Sequence, residues 1–170
     1  MKCAVQTTDF FGLMKGLSES VHPDCFLRQT TLTVPDKKIL LTELGKILID
    51  DGIIAVGDWM RNDDQEPSDQ MREYIAAEGL DMYMCSLNKY SELLEETGFS
   101  VISLNDRNQW YLEVVQKEIS DIKGPLYDQV INLIGKEEAD GALEIWEQLL
   151  GVVKKGEHRP GNFQAIKKRK

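Results

Sequence analysis

The sequence has few cysteines, few histidines and no long hydrophobic run. Only three of its 170 residues are cysteine, and no two of them have the C-x-x-C spacing of a zinc or redox site. The longest apolar runs are too short to span a bilayer, and no charged segment followed by a long apolar stretch opens the chain. These absences predict a cytoplasmic protein with reduced thiols, no membrane partner and no metal site.

Basic residues are also scarce relative to acidic ones. The chain has 20 Lys and Arg against 29 Asp and Glu, which gives a formal net charge of -9. An acid excess of this size argues against nucleic acid as a partner, because the phosphate backbone would be repelled. The one basic run is the tail Lys167–Lys170, which has the composition of a solvated chain end. An apolar fraction of 42% over 170 residues predicts one folded domain with a core.

The chain alternates short apolar runs with helical patterns. Strands are predicted at Cys3–Thr8, Asp24–Arg28, Ile53–Val56, Phe99–Leu104 and Asn162–Ile166. Because Ile53–Val56 is apolar on both faces, we expect a strand buried between helices, as in parallel sheets. Residues 50–52, with the sequence Asp-Asp-Gly, predict a turn before this strand.

Helical spacing and capping residues predict the helices between these strands. One follows Pro35-Asp36, with Lys37 and Lys38 on its outer side. A second has Ser86 as its N-cap and Gly98 at its C-terminal end. Others are predicted at 68–77, 109–122 and 126–153, with breaks near Gly124 and at Gly135 or Gly141.

Alternating strands and helices around a buried strand describe a three-layer α/β domain. Ligands of such sheets lie beyond the carboxyl ends of the strands. The residues at those ends are Asp9 and Phe10 after the first strand, Arg28–Thr30 after the second and Gly57–Trp59 after the third. His22 and His158 lack a nearby serine or cysteine signature, so we expect both at the surface.

Several segments resemble a known enzyme family. Residues 27–38, 50–59 and 93–99 are similar, in order and spacing, to the second half of class I S-adenosylmethionine-dependent methyltransferases. The closing segment 156–165, with Glu73-Tyr74-Ile75 and Asn105-Asp106-Arg107, resembles the C-terminal half of phosphoethanolamine and related small-amine N-methyltransferases. The resemblance implies a Rossmann-like sheet, S-adenosylmethionine as methyl donor and a small amine as acceptor.

The resemblance also implies a division of the single, partial domain. Residues 1–59 would supply the remaining cofactor-side strands, 60–85 and 108–157 the helices that cap the substrate, and 158–170 the last strand and basic tail. Cofactor binding is implied for Asp9, Phe10, Arg28 and Gln29, with Asp9 and Phe10 at the adenine.

The acceptor is implied to lie against a second set of residues. Thr30 and Tyr74 would contact it, Asp58 would orient the amine, and Trp59 would bind a methylated ammonium by cation–π attraction. Asp58 and Trp59 are therefore the predicted catalytic residues. Tyr83 and Trp110 could extend the aromatic wall.

Two features of the family have no counterpart in the sequence. They are the glycine-rich loop after the first strand of the family's own sheet and the acidic residue that ends the second strand of that sheet. The alternative is therefore an N-terminally truncated, non-catalytic domain that acts through protein–protein contacts. It predicts an edge beside Asp24–Arg28 that is covered by Cys3–Thr8 or by a second copy in a homo-oligomer. An unrelated doubly wound, receiver-like module is a third alternative.

Overall fold

The computed structural model describes residues 3–5, 22–28 and 31–169, and places in them one five-stranded sheet and six helices. The strands are β1 (Cys3–Val5), β2 (His22–Arg28), β3 (Leu48–Met60), β4 (Phe99–Asp106) and β5 (Arg159–Lys167). The helices are α1 (Lys37–Ile47), α2 (Asp69–Glu78), α3 (Leu87–Glu96), α4 (Asn108–Lys123), α5 (Tyr127–Ile134) and α6 (Lys136–Lys155). The predicted α/β class is confirmed. None of the described helices is long and apolar enough to cross a membrane.

The strand order in the sheet is β1-β2-β3-β5-β4. β1, β2 and β3 are parallel, whereas β5 runs antiparallel to both β3 and β4. Residues Cys3–Val5 pair with Cys25–Leu27. Of the two covers predicted for this edge, Cys3–Thr8 or a second copy, the described residues show the first, through Cys3–Val5.

β3 is longer than the sequence predicted. Its pairing with β2 changes from His22 opposite Leu48 to Asp24 opposite Ile53, so extra residues of β3 are accommodated between two residues of β2. Asp51 has a φ of 61°, in the left-handed region. The predicted turn at 50–52 is therefore an irregularity inside the strand, and its placement before the strand was wrong.

Only one face of β3 is deeply buried. Ile54 is 0% exposed and Val56 2%, whereas Ile53 between its neighbours is 36% exposed. The prediction of a strand buried on both faces was wrong, because α1 and α3 cover one face of the sheet while the other is contacted mainly near Trp59. Apolar residues on both sides of a strand do not require equal burial.

Local signals set the ends of the helices. The Asp36 carboxylate accepts a hydrogen bond from the backbone N–H of Ile39 at 2.9 Å, and the Ser86 hydroxyl accepts one from Lys89 at 3.0 Å. The chain between α5 and α6 breaks at Gly135, which has a φ of 90°, while Gly141 lies inside α6. Of the two predicted break points, the structure uses Gly135.

Two hydrophobic clusters divide the interior. The larger lies between α1, α3 and one sheet face, and Tyr90, Phe99 and Phe163 are its largest fully buried side chains. The smaller joins α2, α4 and α6 through Met71, Val115 and related side chains. The helices of the smaller cluster meet the sheet near the carboxyl end of β3, and this junction contains the candidate site.

Candidate active site

A cavity of about 580 Å³ opens at the carboxyl ends of β2 and β3. Its floor is formed by side chains of β2, β3 and β5, and its wall by residues at the start of α4. The side chains that matter chemically are Phe26, Arg28, Trp59, Arg107, Trp110 and Tyr111. A concave, largely apolar site of this volume, with a few charged groups, is suited to a small molecule, and it lies where parallel strands bind ligands.

The alternation of β3 separates the two predicted catalytic side chains. Asp58 is 5% exposed and lies on the sheet face covered by α1 and α3, together with Val56 and Met60. Trp59 is half-buried and contacts Tyr111 of α4 from the other face. Successive side chains of a strand point to opposite faces, so only the indole is directed toward α4.

The Asp58 carboxylate is occupied by hydrogen bonds from the chain. Its Oδ2 accepts from Thr31 N at 2.5 Å, from Thr31 Oγ1 at 2.7 Å and from Leu32 N at 3.1 Å. Its Oδ1 accepts from the backbone N–H of Trp59 at 2.7 Å. These bonds fasten the loop after β2 to the end of β3, and the role of Asp58 toward an amine stays a prediction.

Lys37 is buried in the same network, so its predicted position on the outer side of α1 was wrong. It is 6% exposed, and its Nζ donates to the carbonyl oxygen of Thr31 at 2.5 Å and to that of Val34. Burial lowers the pKa of Lys37 to about 8. At the first turn of a helix a lysine can fold back onto preceding carbonyls, which helical periodicity alone does not reveal.

An aromatic cluster lies behind Trp59. The His158 ring stacks on Trp59 with centroids 4.4 Å apart, and Tyr74 approaches His158 edge-on at 5.4 Å. The Tyr111 ring also contacts Trp59, with centroids 4.9 Å apart and the ring planes tilted by 58°. Contacts with these two rings fix the position of the indole.

His158 is 3% exposed, so its predicted surface position was wrong. Burial lowers its pKa to about 4, and its Nδ1 has no hydrogen-bond partner among the described residues. The ring is therefore neutral at physiological pH and acts as packing against Trp59. The ring contacts Tyr74 of α2 and Trp59 of β3, which are distant in sequence, so no local pattern indicates its burial.

Tyr74 lies outside the cavity lining and contacts His158 behind it. It is 4% exposed, and burial together with Glu78 raises the pKa of its hydroxyl. Its predicted contact with the acceptor stays a prediction. Tyr83 is 43% exposed and outside the cavity lining, whereas Trp110 lies in that lining as suggested from the sequence.

Two arginines line the cavity. Arg28, a predicted cofactor residue, is at the carboxyl end of β2, and Arg107 precedes α4 with its guanidinium 4.3 Å from the centroid of Trp110. The sequence-based candidates did not include Arg107. A signal was present in its spacing from Trp110, since residues i and i+3 lie on one helix face. Asp9, Phe10, Gln29 and Thr30 lie outside the described residues.

No group of histidine, cysteine and carboxylate side chains in the described ranges could hold a metal ion. The Asp64 carboxylate instead accepts hydrogen bonds from the backbone and the hydroxyl of Ser86, each at 2.7 Å. It therefore stabilises the start of α3.

The fold is similar to that of solved methyltransferase structures. It is the Rossmann-like fold of S-adenosylmethionine-dependent methyltransferases, as in phosphoethanolamine N-methyltransferase 2 of Haemonchus contortus, solved with phosphomonomethylethanolamine and S-adenosylhomocysteine. That structure matches with a TM-score of 0.72 and 18% identity, over 86% of this chain and 34% of its own. The receiver-like alternative is therefore wrong.

Sequence similarity narrows the class. Phosphoethanolamine N-methyltransferase of Triticum aestivum is 26% identical and phosphoethanolamine N-methyltransferase 1 of Zea mays 28% identical, each over 166 residues. The match covers 98% of this chain and 32% of each relative, so the chain spans about a third of the curated relatives it matches. No family model matches the chain. The resemblance to phosphoethanolamine N-methyltransferases is thus confirmed across nearly the whole chain.

Proposed function

We propose that this chain takes part in transferring a methyl group from S-adenosylmethionine to a small amine. The observation that supports this best is the aromatic wall formed by Trp59 and Tyr111 in a cavity at the carboxyl ends of β2 and β3. Similarity to phosphoethanolamine N-methyltransferases over 98% of the chain favours this function over a role limited to protein–protein contacts.

The side chains that line the cavity are of types that can bind S-adenosylmethionine. Phe26 offers aromatic surface for a base, and the Arg28 guanidinium suits a carboxylate. We assign cofactor binding to Arg28 together with Asp9, Phe10 and Gln29. When bound, S-adenosylmethionine supplies an electrophilic methyl group on a sulfonium.

The chain's own contribution is mainly positioning. Direct displacement at a methyl group needs the amine lone pair aligned with the methyl carbon, and a fixed orientation can supply much of the rate. Trp59 is fixed by its contacts with His158 and Tyr111, and we assign its remaining aromatic surface to the cationic product. Asp58 keeps the Thr31 loop against the end of β3, and the proposal also assigns it the orientation of the amine. Thr30 and Tyr74 complete the proposed acceptor contacts.

Calorimetric titration of the folded chain with S-adenosylmethionine, followed by mass spectrometry of ethanolamine and phosphoethanolamine products, tests this function. We expect binding and methylated product, and Trp59→Ala should raise the KM for the amine by roughly 3- to 30-fold, the range of one cation–π contact. Trp59→Phe should retain most of the affinity. The Tyr83→Ala variant, at an exposed tyrosine outside the cavity, is the matched control.

The proposal fails if the chain, shown to be folded, does not bind S-adenosylmethionine at millimolar concentration. A KM increase of equal size in Trp59→Ala and Tyr83→Ala would sink the role given to Trp59. A cytoplasmic location, the lack of a nucleic-acid partner and association of copies through a sheet edge belong to the same proposal. The net charge of -9 supports the lack of a nucleic-acid partner, and β1 lies at an edge of the sheet.

A further inference from the structure

The Arg61 guanidinium is buried and donates no hydrogen bond to the described residues. Arg61 is 8% exposed, and its ion-pair partner, Oε2 of Glu157, lies 3.9 Å from its Nη2. That distance is too long for a hydrogen bond, and the same oxygen already accepts one from the backbone N–H of Ser68 at 2.8 Å. The Nε of Arg61 is buried without a partner in the part of the chain that the structure describes. A buried guanidinium with unused donors calls for a further acceptor.

Arg159 shows how another enclosed arginine of this fold is satisfied. Its Nε donates to the carbonyl oxygen of Gly156 at 3.0 Å, and its Nη1 donates to the carboxylate of Asp106. Arg61 is more deeply buried than Arg159 and has neither kind of bond. Its donors are therefore left for a group from outside the chain.

Arg61 lines a second cavity, of about 530 Å³, between the starts of α1 and α3. Residues 35–38 form its side toward α1, and Cys85 and Lys89 lie on its side toward α3. It shares no lining residue with the candidate active-site cavity. The N-terminus of a helix attracts anions, because its first N–H groups and its dipole present positive charge there. Two helices thus favour negative charge in the same cavity.

Side-chain charges in the second cavity also favour an anion. Its lining contains two acidic residues and four basic ones, and the basic ones are Lys37, Lys38, Arg61 and Lys89. Both acidic side chains are occupied by the chain itself. The Asp36 carboxylate caps α1 at the N–H of Ile39, and the Asp64 carboxylate accepts from the N–H and hydroxyl of Ser86.

Contacts with Cys85 show that three of the cations lie close together. The backbone N–H of Arg61 donates to the carbonyl oxygen of Cys85 at 3.2 Å. The charges of Lys37 and Lys89 both act on the Cys85 thiol, opposing the burial that raises its pKa to about 12. The thiol is therefore neutral and adds no negative charge to the cavity.

Two of these lysines keep capacity for an additional acceptor. The Nζ of Lys37 donates to the carbonyl oxygens of Thr31 and Val34, which leaves one of its three donors. Lys89 pairs with Glu92, which is exposed and outside the cavity lining. Exposed pairs of this kind contribute little and exchange readily.

We infer that the second cavity is a binding site for a small phosphate-type oxyanion, which accepts hydrogen bonds from the Arg61 guanidinium and is held by the charges of Lys37 and Lys89. The ligand is inorganic phosphate or the phosphate group of a small monoester, because both present several strong acceptor oxygens. Binding there needs neither a methyl donor nor an amine, so the site is separate from the proposed function.

Titration of the folded chain with inorganic phosphate, methyl phosphate or chloride at constant ionic strength tests the inference, with calorimetry and the urea unfolding midpoint as readouts. We expect saturable binding of one phosphate that raises the midpoint, and no such effect of chloride. Equal affinity for methyl phosphate would identify a monoester site, and binding of inorganic phosphate alone would identify a site for the free ion.

Variants of Arg61 test its role directly. Arg61→Gln should weaken phosphate binding by about tenfold or more, the scale of a lost charge-assisted contact. Arg61→Lys should recover part of the affinity, because it keeps the charge and loses the bidentate geometry.

Lys89→Gln changes an exposed side chain and avoids the risk that a variant of buried Arg61 fails to fold. It should weaken phosphate binding by roughly 2- to 5-fold, the range of one exposed charge. The matched control is Lys117→Gln, at an exposed lysine of α4 that pairs with Asp121 and lines neither cavity. Its phosphate affinity should equal that of the unaltered chain.

Three results would overturn the inference. The first is phosphate that stabilises the unaltered chain no more than chloride does, and the second is equal phosphate affinity in Lys89→Gln and Lys117→Gln. The third is loss of phosphate binding in Arg107→Gln but not in Lys89→Gln, which would place the ion in the candidate active-site cavity. None of these readouts involves methyl transfer, so each leaves the proposed function to its own test.

Discussion

Burial changes the chemistry of individual side chains in this protein, and His158 is the strongest case. The ring is packed between Trp59 and Tyr74, and its pKa falls to about 4 because the charged form is desolvated. An ordinary histidine titrates near 6.5. The difference ties the stability of the site to pH.

The free energy of unfolding should fall as the pH is lowered from about 6.5 to about 4. In that window the unfolded chain protonates His158 and the folded chain does not, so acid favours unfolding. The shift corresponds to at most about 3 kcal/mol. Urea unfolding of the wild-type chain and of His158→Phe at several pH values measures it.

His158→Phe keeps an aromatic ring against Trp59 and removes the titrating group. Its curve should therefore lose the part of the acid sensitivity that lies above the carboxylate range. If the two curves run parallel from pH 6.5 to 4, His158 is not buried in solution as described.

Residue roles that depend on packing could not be predicted from the sequence. Lys37 has helical spacing typical of a solvated position, but its side chain folds back to the carbonyls of Thr31 and Val34. The sequence predicts Asp58 and Trp59 at the end of a strand, where the structure has a cavity. It does not separate the side chain that holds a loop from the one that contacts α4.

At the scale of elements, glycines fix where one helix ends. Gly156 follows α6 with a φ of 76°, and its N–H donates to the carbonyl oxygen of Val153 at 2.9 Å. A Cβ there would also lie 1.8 Å from Nη2 of Arg159. The residue directs the chain from α6 toward His158 and β5.

Gly156→Ala should lower the free energy of unfolding by about 1–2 kcal/mol, because an L-residue is strained at this φ. Gly141→Ala is the matched control, since Gly141 lies inside α6 and a Cβ there meets nothing within 4 Å. It should raise stability by up to about 1 kcal/mol through helix propensity. Chemical denaturation distinguishes the two, and destabilisation of equal size in both would contradict the cap assigned to Gly156.

Elements with local signals were predictable, and those set by pairing were not. Asp36 and Ser86 mark helix starts because a capping bond involves residues three apart, and Gly135 marks a break by its backbone conformation. The extent of β3 was underestimated because Asp50–Gly52 has turn composition. In the fold, pairing with β2 on both sides of the irregularity keeps these residues in the strand.

At the scale of the whole molecule, the two faces of the sheet differ in how deeply they are buried. The face toward α1 and α3 contains the larger core cluster, while Phe26 and Ile53 on the other face are 44% and 36% exposed. The alternation of apolar residues predicted the layered class correctly. It could not show which helices cover which face, because that depends on contacts between segments distant in sequence.

A pair of neighbouring substitutions tests this asymmetry. Ile54→Ala should lower the free energy of unfolding by about 2–5 kcal/mol, because it leaves a cavity in a closed core. Ile53→Ala should cost under about 1.5 kcal/mol, because its side chain already contacts solvent. Both are measured by urea denaturation at two protein concentrations.

Equal losses would mean that the open face is covered in solution. An unfolding midpoint that rises with protein concentration would show that association of copies covers the open face. A constant midpoint would show that packing within the chain covers it.

The pairing of β3 with β5 also determines which side chain at the end of β3 faces α4. Asp58 is opposite Gly161, and a Cβ at Gly161 would lie 2.5 Å from Sδ of Met60, so only glycine leaves room for that methionine. A slip by one residue would exchange the faces of Asp58 and Trp59 and put a carboxylate where the indole meets α4. A glycine with no functional group of its own thus supports the pairing that turns the indole, and not the carboxylate, toward α4.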